Sequence, residues 1–152
     1  MYSRYVVPAL LVTALAFACG PRSHSADVPA ASAGATVDTT EGIAASLDVR
    51  TGPEVEFALR VTNATDRRME LTFPSGQTHD VVVLDAAGRE VWRWSEGRMF
   101  TQAVQTKLLA SDETTAYVER WTPQGRAGSY TVIATLRSSN HPVELRRGFT
   151  LP

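Results

Sequence analysis

The sequence predicts an all-β fold: an immunoglobulin-like antiparallel β-sandwich of about eight or nine strands, with no disulfide. Three observations predict it. From Glu41 onward, short runs rich in β-branched and aromatic residues alternate with turn residues at the spacing typical of sandwiches and barrels. Several of these runs alternate apolar and polar residues, as half-buried strands do. No stretch sustains a helical period.

In chain order, the first element is a leader. Arg4 lies in a short positive region, and residues 5–18 carry no charge, the pattern of a secretory signal. The run is shorter than the roughly 20 apolar residues of a membrane span. It ends in Ala16-Phe17-Ala18-Cys19, which resembles the lipobox of bacterial lipoproteins, with Phe17 where a smaller residue is usual. That resemblance implies a lipoprotein signal peptide over residues 1–18, cleavage before Cys19, and lipid attachment at Cys19. Several acyl chains hold a protein on a membrane where one is marginal. The expected location is the bacterial cell envelope. Gly20 in place of a retention-type Asp favours an outer membrane facing the periplasm if the source has two membranes.

Residues 19–40 read as a lipid-anchored tether. Most of residues 20–40 are Pro, Ala, Ser, Thr or Gly, too little apolar surface to offset the entropy of ordering them. Residues 41–152 are the folded domain. Residues 43–50 form a first strand, ended by Thr51-Gly52-Pro53. In residues 54–62, Val55, Phe57, Leu59 and Val61 share one face, and Glu54, Glu56 and Arg60 the other. Residues 63–68 make a turn. Residues 69–73 place Met69, Leu71 and Phe73 on one face. The apolar run at 79–86 is expected to be a central strand buried on both faces. Gly88 suits a hairpin turn, and residues 90–94 pair back. Residues 114–121, 130–137 and 143–151 complete the sheets. A Gly- and Pro-bearing turn spans residues 122–129.

Composition excludes several functions. Fifteen Lys and Arg against sixteen Asp and Glu give a formal net charge of −1, without the basic footprint of a nucleic-acid binder. One cysteine permits neither an intramolecular disulfide nor a multi-thiolate metal site. Ser75, His79 and Asp80 are neighbours along the chain, but a catalytic triad is a spatial arrangement and no G-x-S-x-G elbow is present. His24, His79 and His141 lack ligand spacing, and no glycine-rich phosphate loop occurs. Asn63-Ala64-Thr65 matches a glycosylation acceptor in form and reads more simply as a turn. No catalytic residue, metal site or cofactor is expected.

Trp92 and Trp94 fall on one side of their strand. Either they pack the core or they form an aromatic edge for a partner. Around them the chain resembles the BsuPI domain, named after an intracellular proteinase inhibitor. The matching passages are FALRVTNAT, ELTFPSGQ, the run from Asp80 to Ser95, and Met99-Phe100-Thr101-Gln102, within residues 54–151. The resemblance implies an immunoglobulin-like sandwich and a protein partner, a proteinase being the class the name indicates. It assigns no reactive-site residue.

The expected protein is therefore non-enzymatic, lipid-anchored and protein-binding. The candidate contact residues are Glu96, Arg98, Met99, Phe100, Thr101 and Gln102, with Arg126 in the later turn. Arg98 or Arg126 would suit a trypsin-like pocket. The alternative is an assembly module of the envelope without inhibitory activity, recruiting a partner by strand addition.

Overall fold

The computed structural model describes residues 36–125 and 127–152. The leader, Cys19 and Arg126 lie outside the described residues. Among the described residues there are ten strands: β1 (Thr36–Thr40), β2 (Ile43–Arg50), β3 (Val55–Asn63), β4 (Met69–Phe73), β5 (His79–Asp85), β6 (Glu90–Arg93), β7 (Gln105–Leu109), β8 (Thr114–Trp121), β9 (Gly128–Leu136) and β10 (Val143–Leu151). One four-stranded sheet runs β1-β2-β3-β8, a second runs β10-β9-β5-β6, and β4 pairs with β7. Every pairing is antiparallel.

The core is what the alternation requires. Val55, Phe57, Leu59 and Val61 of β3 are fully buried, and Ile43, Ala45 and Leu47 of β2 lie beside them. Val81 and Val83 of β5, Val132, Ala134 and Leu136 of β9, and Leu145 of β10 face them from the other sheet. Each large apolar side chain removed from water contributes about 1.5–3 kcal/mol before entropy is subtracted. β5 is the interior strand expected, lying between β9 and β6, and Val82 on its second face is buried too.

The first sheet has one strand more than the sequence indicated, taken from the end of the segment read as tether. β1 pairs with β2 from Thr36↔Leu47 to Thr40↔Ile43. The two-residue connection, Glu41 and Gly42, has φ of 50° and 80°, the positive pair that matches a hairpin's twist.

Asn63 shows why its triplet is not an acceptor site. It is wholly buried. Its Nδ2 donates to the carbonyls of Arg67 (2.6 Å), Leu109 (3.2 Å) and Ala110 (3.0 Å), and its Oδ1 accepts from Thr65 N and Oγ1. One amide thus ties the turn after β3 to the end of β7. Asn140 plays a similar part for β4, donating to Glu70 O and accepting from Thr72 N.

β6 departs from a regular strand. Its register steps from Val83↔Trp92 to Leu84↔Glu90, so Val91 is an extra, unpaired residue. The bulge brings Glu90 and Arg93, three apart, to the same face. There Arg93 holds Glu90 through Nε (2.9 Å) and Nη2 (2.6 Å).

Candidate protein-binding loop and aromatic cleft

The outer face of β5 fixes where the loop after β6 starts. Asp80 is buried, and its carboxylate accepts from Arg93 Nη1 (2.8 Å), Ser95 Oγ (3.0 Å), Ser95 N (3.3 Å) and Val81 N (2.9 Å). Glu90 and Asp80 together raise the already high pKa of the Arg93 guanidinium. A buried carboxylate needs such partners.

The inner face positions the two tryptophans. Both are half-buried and packed against the core, the first of the two readings. Trp92 lies 6.0 Å from Phe57 and 6.4 Å from Trp121, ring centre to ring centre. Trp94 stacks on His79 at 4.1 Å, and Tyr117 lies 4.5 Å from the same imidazole. His79 Nε2 is 2.9 Å from Glu119 Oε1, across the gap between the sheets. A carboxylate only accepts, so the neutral ring carries its proton on Nε2, and Nδ1 accepts from Thr78 Oγ1 at 3.2 Å. Burial lowers the His79 pKa from its ordinary value; Glu119 and Asp80 oppose this, and Arg98 adds to it. Ser75, His79 and Asp80 do not converge: His79 faces inward, Asp80 faces Arg93, and Ser75 Oγ accepts from Gln77 N.

Trp94 also organises residues 96–102. Arg98 turns back over it, with the guanidinium carbon 4.6 Å from the ring centroid and Nε 2.8 Å from Trp94 O. Phe100 packs 5.6 Å from the same ring. Beyond it, Thr101 O accepts from Gly76 N at 2.9 Å. A Cβ on Gly76 would meet Thr101 Oγ1 at 2.6 Å and Thr101 N at 3.3 Å, so the close approach of the two segments needs a glycine there. Glu96 and Gln102 are exposed; Glu96 N donates to Arg93 O (3.3 Å), and Gln102 Nε2 donates to Phe100 O (3.2 Å). Met99, between the two groups that grip Trp94, is 98% exposed.

Sequence reasoning did not locate the cleft at the other end of β6. It has a volume of about 990 Å³ and opens between the β5–β6 turn and the β8–β9 connection. Its lining includes Trp92, Trp121 and Tyr130 together with Arg89, Val91 and Arg120. Arg89 is held by Asp85 (2.7 Å) and Arg120 by Glu56 (3.0 Å). The available signal was Trp121 standing directly before a long Gly- and Pro-bearing turn.

An all-β sandwich carrying a braced loop on one flank defines the class as a small β-sandwich module. The chain belongs to the BsuPI family, described as intracellular proteinase inhibitor, whose profile matches residues 43–141. β1 and β10 fall outside the matched segment; residues 96–102 lie within it. Among solved structures the chain is similar to the protein described as ApaA from Bordetella pertussis (19% identity, TM-score 0.42, covering 76% of this chain and 93% of that one). It is also similar to the yjhA protein from Bacillus subtilis (11% identity, TM-score 0.41, 73% and 93%). A further likeness is to β-glucosidase 3B from Thermotoga neapolitana (18% identity, TM-score 0.39), of which it spans only 16%. No curated protein matches the sequence.

Proposed function

We propose that the protein is a non-enzymatic, lipid-anchored component of the bacterial cell envelope whose sandwich domain binds a proteinase through residues 96–102. The observation that carries this reading is the bracing of that loop, inside the family-matched segment, by Trp94 on one side and Gly76 on the other. A loop already held in one shape loses little entropy on binding, which is what inhibition by occupancy requires. Anchoring through Cys19 rests on the lipobox resemblance, and membrane partition of the wild type but not of Cys19→Ala tests it.

The test of binding uses the full chain in detergent, titrated against serine, cysteine and metalloproteinases, with intact mass read after each incubation. Stoichiometric inhibition with the chain uncleaved is expected. A folded chain that inhibits none of them refutes the reading. The cleft lined by Trp92, Trp121 and Tyr130 favours a second reading, an assembly module gripping a partner at the opposite end of β6. That reading predicts a stable non-proteinase partner whose capture is lost in Trp92→Ala.

A further inference from the structure

We infer that Met99 is the primary specificity residue of the loop and that the proteinase it fits has a deep apolar primary pocket. This rests on the proposed proteinase-binding reading and deepens it. Sequence alone pointed to Arg98 or Arg126 and an acidic, trypsin-like pocket; Arg126 lies outside the described residues, and Arg98 is the one within residues 96–102. The structure places the Arg98 side chain elsewhere: its Nε bonds Trp94 O at 2.8 Å and its guanidinium lies over the indole at 4.6 Å. Inserting Arg98 into a partner's pocket would break both contacts.

Within residues 96–102, Met99 is the large apolar side chain that projects. Lone exposed apolar side chains are common on protein surfaces, so exposure by itself carries little. What distinguishes Met99 is its setting. The residue before it and the residue after it both grip Trp94, and Trp94 is stacked on buried His79. The next residue, Thr101, is bonded to Gly76. Met99 is thus the 98%-exposed point of a segment fixed on both sides. Its unbranched thioether adapts to a narrow apolar slot. Serine proteinases are separated at this subsite by an apolar slot, an acidic base or a shallow pocket.

The experiment is a titration of the full chain in detergent against chymotrypsin, trypsin and elastase, repeated with Met99→Asp, Met99→Lys and Arg98→Ala. Because Met99 is solvent-exposed, its variants are expected to fold, and a denaturant melt checks this. Chymotrypsin is the enzyme expected to be inhibited, with Met99→Asp weakening it roughly 10- to 100-fold, the worth of one buried apolar anchor. Met99→Lys is expected to move inhibition toward trypsin. Inhibition of trypsin by the wild type, abolished in Arg98→Ala, would overturn the inference and keep the proteinase reading. Inhibition of chymotrypsin indifferent to Met99→Asp would do the same. Inhibition of none of the three, with another class of proteinase inhibited, would overturn the inference alone. Inhibition of no proteinase at all would overturn both.

Discussion

Replacing Trp94 by alanine tests whether this ring holds the loop. The substitution removes three contacts: the stack on His79, the packing of Phe100 and the support under Arg98. The first belongs to the sandwich and the other two to the loop. An aromatic pair is worth about 0.5–1.5 kcal/mol beyond its area, and an exposed cation–π contact about 0.5–1 kcal/mol. The loop therefore loses about 2 kcal/mol of local stability, a factor of roughly 30 in its open population. The sandwich loses about 3 kcal/mol, the low end for Trp→Ala because the ring is only half-buried. Trypsin separates the two effects. With Arg98 folded onto Trp94, the bond after Arg98 is a poor substrate, and its cleavage follows the open population when opening is fast. At protein concentrations and temperatures where global unfolding stays rare, nicking after Arg98 is expected to accelerate about 30-fold in Trp94→Ala, read by mass. A variant that melts earlier yet is nicked at the wild-type rate would show that Trp94 serves the core and leaves the loop to other contacts.

Three further outcomes are expected. Asn63→Asp turns the amide donors into a carboxylate aimed at three carbonyls, so it should destabilise by about 3 kcal/mol or more, exceed Asn63→Ala, and partly recover at low pH where the carboxyl is protonated; urea melts at pH 4 and 7 read this. The buried His79 has its pKa lowered, so the unfolded chain binds the extra proton first, and stability is full above about pH 6.5 and falls as pH drops below it; His79→Gln should flatten that limb of the melting-temperature profile. Glu119 and Tyr117 pack against His79 and the charges of Asp80 and Arg98 also reach it, and the turn carboxylate Asp85, lowered by its bonds to Arg89, adds a separate loss on further acidification through its own depressed range. Gly76→Ala should push Thr101 away and weaken proteinase binding by about tenfold while shifting the global melt little, measured by titration and calorimetry.

Local pattern made most of the sandwich legible. Val55, Phe57, Leu59 and Val61 announce one buried face by period alone, and every one of them is buried. β1 was hidden because Thr36–Thr40 is largely polar; its order comes from pairing with β2, which composition does not record. The loop's makers were nearly all named in advance, but their division of labour was not. Arg98 and Met99 are adjacent in sequence, and only the position of Trp94 decides which one turns back. The His79–Glu119 pair joins residues 40 apart, and Gly76 meets Thr101 across a strand hairpin. Such contacts depend on how two sheets close over one another.

The bulge at Val91 also governs how this domain tolerates its neighbours. A long flat margin of a sheet is a template on which a second chain can zip, and molecules crowded onto a surface meet margin to margin. β6 is four residues long, is kinked by its extra residue and presents the charged pair Glu90 and Arg93. A short, bulged and charged margin is what natural sheets use against such pairing, so the distortion that re-aims one side chain also makes this margin a poor template.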